Sequence, residues 1–248
     1  MPSCAGHCNR AGRILRGAAG ILYPERCVFC DAVLEGSGRM LCGSCRQRVR
    51  FLEEPLCCRC GRPLSEERAE YCRQCAEAGV LFERGFAPFA YDGEVQDAMM
   101  RFKYGHRAEY AAFFAKAIWT FGISFLEIWK PQALVPVPIH RKRQISRGYN
   151  QAECIAAELS ALSGIPVRTD LIARVKGTMP QKELGRLARR ENLRGAFRVP
   201  EGAVPPADIL VVDDIFTTGS TIDAVSGHLL RAGAKRVWFA CASVAAES

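Results

Sequence analysis

Between residues 209 and 212 the chain holds four aliphatic side chains in a row, Ile209-Leu-Val-Val212, a run that predicts a strand buried on both faces of a parallel sheet. Two acids, Asp213 and Asp214, stand at its carboxyl end. Then come the polar turn Thr217-Thr-Gly-Ser-Thr221 and helical spacing from roughly Thr221 to Ala232, closing at Gly233. Around this centre the apolar pattern predicts further strands at Phe86 to Tyr91, Leu134 to Pro138, Leu171 to Val175 and Val237 to Val244. Helical periodicity covers Val95 to Lys103, about Ala108 to Trp129, and Tyr149 to Ser163 with Gly164 as its stop. Pro136 and Pro138 suit an edge strand or an abrupt end. Alternation of this kind implies an α/β fold, a mainly parallel sheet flanked by helices.

Before residue 81 the pattern is different. Cys27, Cys30, Cys42 and Cys45 recur as Cys57, Cys60, Cys72 and Cys75, each displaced by 30 positions, and Leu34 recurs as Leu64. A Cys-x2-Cys pair sets two thiolates on one tight knuckle, and two knuckles supply the four sulfurs of a tetrahedral Zn2+ site. The eight cysteines predict two structural zinc ribbons. Pairing in sequence order makes each repeat self-sufficient; crossed pairing between the repeats stays open. Cys58 is left as a spare thiol. Cys4 and Cys8 flank His7 without a second pair nearby and read as a tail feature, while Cys154 and Cys241 read as buried fillers. The organisation expected is a tail or short helix at 1–22, a double zinc ribbon at 23–80 and an α/β domain at 81–248.

The 248 residues are 49% hydrophobic, compatible with a globular core plus a smaller module. No apolar run approaches the ~20 residues of a membrane span, and the stretch Ala18 to Tyr23 is too short for a secretory signal. A cytoplasmic protein is expected. Charge is uneven: residues 140–198 carry thirteen Lys and Arg against five acids, an excess equal to the +8 of the whole chain. Two Cys4 zinc sites at −2 each would bring the total nearer +4, which sharpens the contrast and points to a polyanionic partner.

The acids and the turn carry the candidate chemistry. Asp213 and Asp214 can accept from vicinal ribose hydroxyls or hold Mg2+ through water. Thr217, Thr218, Gly219, Ser220 and Thr221 offer successive N–H groups and hydroxyls to one phosphate, at the positive end of the following helix. Arg141, Arg143 and Arg147 follow the strand ending at Pro138 and lie at the same sheet edge, with Arg147-Gly148 suited to close approach to a pyrophosphate. Gly177 to Gly185, with Thr178 and Gln181, and Arg186 and Arg189 beyond, combine Gly, Pro and basic residues in the manner of a lid loop.

From Ile209 to Thr221 the order of apolar run, acid pair, two apolar residues and Thr-Thr-Gly-x-Thr resembles the phosphoribosyltransferase signature, which implies 5-phosphoribosyl-1-pyrophosphate as ligand. A narrower resemblance rests on Met100-Arg-Phe-Lys-Tyr-Gly105, Val135-Pro-Val-Pro-Ile-His-Arg-Lys-Arg143, Arg147-Gly-Tyr-Asn-Gln-Ala152, Thr178-Met-Pro-Gln181 and Arg189-Arg-Glu-Asn-Leu-Arg-Gly-Ala-Phe197. With the acid pair and the cysteine-rich start, these blocks resemble the ComF family from Tyr23 onward. That resemblance implies a double zinc ribbon before a type I phosphoribosyltransferase-like domain, and a role in DNA uptake during natural competence.

As an enzyme, such a protein would displace pyrophosphate from ribose C1 by a nitrogen nucleophile, with Asp213, Asp214 and Arg147 as catalytic residues and Mg2+ as cofactor. Two other readings stay open. One is an accessory protein for single-stranded DNA, with Phe102, Tyr104 and Tyr149 as candidate stacking rings and the ribbons docking a protein partner. The other is a ligand-sensing regulator on the same fold.

Overall fold

The computed structural model describes residues 24–34, 38–77, 79–175 and 195–246. The expectations for the tail at 1–22, for Cys4, His7 and Cys8, and for the lid residues Thr178, Gln181, Arg186 and Arg189 lie outside the described residues. In chain order the elements are α1 (Gly43–Arg48), α2 (Arg73–Glu77), β1 (Gly85–Phe86), β2 (Phe89–Ala90), α3 (Gly93–Tyr104), α4 (Tyr110–Trp129), β3 (Ala133–Pro136), α5 (Arg141–Arg147), α6 (Gln151–Ser163), β4 (Ala173–Arg174), β5 (Phe197–Arg198), β6 (Asp208–Phe216), α7 (Ser220–Arg231) and β7 (Arg236–Val244).

The expected parallel sheet is present. β6 lies between β3 and β7, with Leu134 opposite Leu210 and Val211 opposite Phe239, and β7 also pairs with β1 and β2. Ile209 to Val212 are fully buried, as a two-sided strand requires. β3 closes the strand path on its side, touched beyond by a single bridge from Val167, which accommodates Pro136 and Pro138. The run Phe86 to Tyr91 divides into two short strands on either side of Ala87-Pro88; proline has no N–H for a ladder, and its carbonyl accepts from Leu52 N at 2.8 Å instead. The expected strand at Leu171 to Val175 is reduced to β4, which pairs antiparallel with β5 outside the main sheet.

Side chains alternate along each strand, so the sheet has two packed faces. Leu134, Leu210, Val212, Trp238 and Ala240 join the core under α4 and α6, and that core includes Cys27, Phe29 and Cys45 of the first cysteine repeat. Val135, Ile209, Val211, Val237 and Phe239 join the core under α7, which includes Cys57, Cys60, Cys72 and Phe82 of the second repeat. The two repeats therefore serve opposite faces of one sheet.

α4 is long and apolar enough to cross a membrane by length and composition, contrary to the expectation that no run approaches such a span. In the fold it is a core helix: Tyr110, Phe114, Ile118 and Leu126 are buried, and it packs on α6 and β7. Its close approach to β1 depends on Gly122, where a Cβ would stand 2.0 Å from the Phe86 ring.

Candidate functional site

β6 does not stop at the acids. Ile215 and Phe216 continue the ladder opposite Ser243 and Val244, so Asp213 and Asp214 sit inside the last stretch of the strand. Both carboxylates are half-buried, and both line a cleft of about 560 Å³. Around them stand Lys103 from α3, Arg143 and Arg147 from α5, and Arg174 from β4. Lys103 Nζ approaches Asp214 Oδ2 at 3.0 Å, while the Asp214 amide donates to Asp213 Oδ1 at 2.8 Å. Burial, with the neighbouring Asp214 charge next, pushes the Asp213 carboxyl up to about 8. Asp213 therefore keeps its proton through most of the neutral range.

The basic segment after β3 folds as α5. The His140 ring nitrogen Nδ1 accepts from Lys142 N at 3.3 Å at its start, and Gly148, at φ 82°, ends it in the left-handed region. One face of this short helix sends Arg143 and Arg147 into the cleft; Arg141 is exposed and does not line it. Arg147 is held by Gln151 Oε1 at 2.9 Å and the Tyr104 hydroxyl at 3.1 Å, its guanidinium 4.9 Å from the Tyr104 ring centre. Burial, with the Arg143 charge next, lowers the pKa of Arg174, a cleft cation that the sequence reasoning did not single out.

The 217–221 turn feeds directly into α7, with Gly219 at φ 69° as its N-cap. A Cβ there would lie 2.9 Å from the Phe216 ring, so glycine answers both the conformation and the crowding. Thr217 and Thr221 line the cleft. Thr218 Oγ1 and Ser220 Oγ lie 3.0 Å apart, and Ser220 is buried. The back of the turn is covered by the second cysteine repeat: Arg62 donates to the Thr217 carbonyl and Gln74 to the Thr218 carbonyl. Neither residue was anticipated. Lys103 falls in a motif quoted above, yet nothing local revealed that it reaches Asp214.

The eight paired cysteines form two sets in sequence order, Cys27, Cys30, Cys42, Cys45 and Cys57, Cys60, Cys72, Cys75, with the sulfurs of each set within 4.8 Å of one another. Four sulfurs at ~2.3 Å from a tetrahedral Zn2+ lie about 3.8 Å apart. Cys30 to Cys42 is 3.7 Å and Cys60 to Cys72 is 3.8 Å. The donor sets fit structural zinc without rearrangement, and crossed pairing is excluded. Hydrogen bonds from Cys60, Cys72 and Cys75 drive the Cys57 thiol far down, and a bond from the Cys45 amide helps hold Cys42 at about 7. The repeat extends to the backbone: Cys27 N to Ala32 O is matched by Cys57 N to Arg62 O, and Asp31 and Gly61 both take positive φ.

A second cavity, about 360 Å³, lies between the first ribbon and α4. Leu41, Val49, Phe51, Phe89 and Phe113 make it almost wholly apolar, in contrast to the larger, charged cleft.

Comparison with known proteins agrees with these parts. The double zinc ribbon domain family matches residues 18–76. Competence protein F of Haemophilus influenzae is 29% identical over 217 residues, covering 86% of this chain and 93% of that protein. The DNA utilization protein YhgH of Salmonella typhimurium is 29% identical over 226 residues, 89% of this chain and 98% of its own length. Competence protein ComFC of Bacillus subtilis is 25% identical over 235 residues, 87% of this chain and 93% of its own. Among solved structures, a purine phosphoribosyltransferase from Pyrococcus horikoshii aligns at TM-score 0.30 and 23% identity, over 51% of this chain and 68% of that one. The resemblance to the ComF family thus holds across nearly the whole sequence, and the chain is a relative of the proteins named competence protein F and ComFC, with a double zinc ribbon domain on its N-terminal side.

Proposed function

We propose that the cleft binds phosphoribosyl pyrophosphate together with Mg2+, and that the protein serves the competence and DNA utilization named in its relatives. The carrying observation is the convergence, in one cleft, of the acid pair, the 217–221 turn and five cations from three separate elements. Asp213 and Asp214 accept from the ribose hydroxyls, the turn and the positive end of α7 hold the 5-phosphate, and Arg143, Arg147 and Arg174 face the diphosphate. Two half-buried carboxylates facing one cleft form a hard-oxygen donor set, which fits Mg2+. Bound there, the ion would neutralise charge between the ribose and the diphosphate. Transfer of the phosphoribosyl group to a nitrogen nucleophile is the reaction this arrangement suits, with Arg147 positioned by Gln151 and Tyr104 to stabilise the departing pyrophosphate.

Calorimetry with phosphoribosyl pyrophosphate and Mg2+ tests the reading. The wild type should bind, and Lys103→Met and the double variant Asp213→Asn/Asp214→Asn should weaken binding at least about tenfold. No heat from folded, zinc-loaded wild type would sink it. Pyrophosphate release in a screen of amines and nucleobases then separates an enzyme from a sensor.

One observation favours a second reading, binding of single-stranded DNA. Tyr104 is 60% exposed at the rim of the cleft beside Arg147 and could stack a base. The other two candidate rings are taken: Phe102 is fully buried, and Tyr149 donates its hydroxyl to the Phe102 carbonyl. Salt-dependent DNA binding that survives the double Asn substitution and is lost in Tyr104→Ala would favour this second reading.

A further inference from the structure

We propose that the second ribbon is a built-in brace of the 217–221 turn: Arg62 and Gln74, one from each of its knuckles, are positioning residues that fix the direction of the turn's peptide groups and so set its affinity for a phosphate. The inference rests on the reading of that turn as a phosphate site.

The argument begins with peptide geometry. A turn that offers its amides to an anion points the carbonyls of the same peptide units away from it, and those carbonyls need donors of their own where water is excluded. Thr217 and Thr218 find them in the Arg62 guanidinium and the Gln74 side-chain amide. A cationic donor on a carbonyl also polarises the peptide, making its N–H a better partner for a negative ligand. Arg62 is 2% exposed and lies over the Phe216 ring at 5.8 Å, and its Nη1 reaches Gln74 Oε1 at 3.4 Å. The two donors therefore form one small unit behind the turn. A third tie lies just beyond, where Leu81 N donates to Asp223 Oδ1 in the first turn of α7 at 2.6 Å.

Arg62 follows Cys60 by two residues, and Gln74 lies between Cys72 and Cys75. Joining the two knuckles through one tetrahedral centre therefore fixes the spacing of the two donors. Gly61 adds rigidity from behind: at φ +70°, its missing Cβ would stand 3.0 Å from the Phe86 Cα of β1. The first ribbon supplies an internal comparison. At the positions displaced by 30 it carries Ala32, which has no donor, and Ser44, whose hydroxyl is too short to span the reach of a glutamine amide, and it packs on the opposite face of the sheet. The metal ligands are the same in both repeats, and the bracing residues occur in one.

The test uses the full chain as Arg62→Met and Gln74→Met, which keep side-chain bulk and remove the donors, with Ser44→Ala at the equivalent place in the first ribbon as control. Three quantities are read: zinc per chain, hydrogen exchange of the peptide spanning 217–225 without ligand, and affinity for phosphoribosyl pyrophosphate. Expected are two zinc ions in every variant, faster exchange at 217–225 in the Met variants alone, and affinity lower by about tenfold in each Met variant. Unchanged exchange overturns the proposal whatever the affinity does. Loss of zinc overturns it as well, because the residues would then hold the ribbon and not the turn, and unchanged affinity despite faster exchange removes the link to the anion. If exchange rises in the variants while the wild type binds no phosphoribosyl pyrophosphate, the brace stands and the ligand reading falls.

Discussion

Asp213→Asn separates what this acid costs the fold from what it does in the cleft. The bond from the Asp214 amide to Asp213 Oδ1, 2.8 Å long, survives the change because Asn offers the same oxygen. What disappears is a carboxylate whose ionisation is opposed by burial and by Asp214, so that it titrates at about 8. The direction of the effect follows from linkage. A carboxyl whose folded value lies above its unfolded one stabilises fully below the unfolded value near 4, loses that contribution as pH rises, and has lost it all above about 8. At pH 7 about three pH units of that interval have been crossed, an upper bound of about 4 kcal/mol against the wild type. The Asn amide still has its own burial to offset, so a net gain of about 1–2 kcal/mol is expected.

For a chain of this size that is a rise in Tm of about 2–8 °C at pH 7, smaller at pH 6 and larger at pH 8. Thermal unfolding followed by circular dichroism without added Mg2+, between pH 6 and 8.5 where zinc thiolates persist, reads it directly. Titration with phosphoribosyl pyrophosphate on the same samples should show binding lost as stability is gained. A Tm that falls, or a difference from wild type that stays flat over this range, refutes the reasoning about the acid pair.

Two further outcomes check the scaffold. Cys42→Ser removes one sulfur from the first tetrad and should lower zinc from two ions per chain to one by elemental analysis, with the first ribbon unfolding; full zinc content in the variant would contradict the sequential sites. Gly122→Ala forces a methyl to within 2.0 Å of the Phe86 ring and should cost about 1–3 kcal/mol, seen as a lower Tm with zinc content unchanged, whereas an unaltered Tm would mean that α4 does not approach β1 this closely.

The parts of this protein that could be read from sequence are those whose cause is local. Ile209 to Val212 is apolar at every position because both faces of β6 are covered, and that alone marks the strand and, with it, the place where ligands gather. The strand's continuation through Phe216 was hidden, since an acid pair reads as an end, and only the register opposite Ser243 and Val244 shows otherwise. β4 was drawn into the wrong sheet for a similar reason: an apolar stretch declares that it will pair without declaring its partner, here Phe197 and Arg198. In the site, the acids, the turn and Arg143 with Arg147 stand in contiguous motifs and were visible. Lys103, Arg174, Arg62 and Gln74 reach the same place from elements distant in sequence, and only folding brings them there.

A trace of the last two was nevertheless in the sequence. When two copies of a repeat agree at every metal ligand, the ligands explain the agreement, and the positions where they differ report what each copy packs against. Ala32 beside Arg62 and Ser44 beside Gln74 are such differences, replacing small side chains with long nitrogen donors on one copy alone. Such an asymmetry says that the second copy meets unpaired acceptors, and in this chain the acceptors are the carbonyls behind the 217–221 turn.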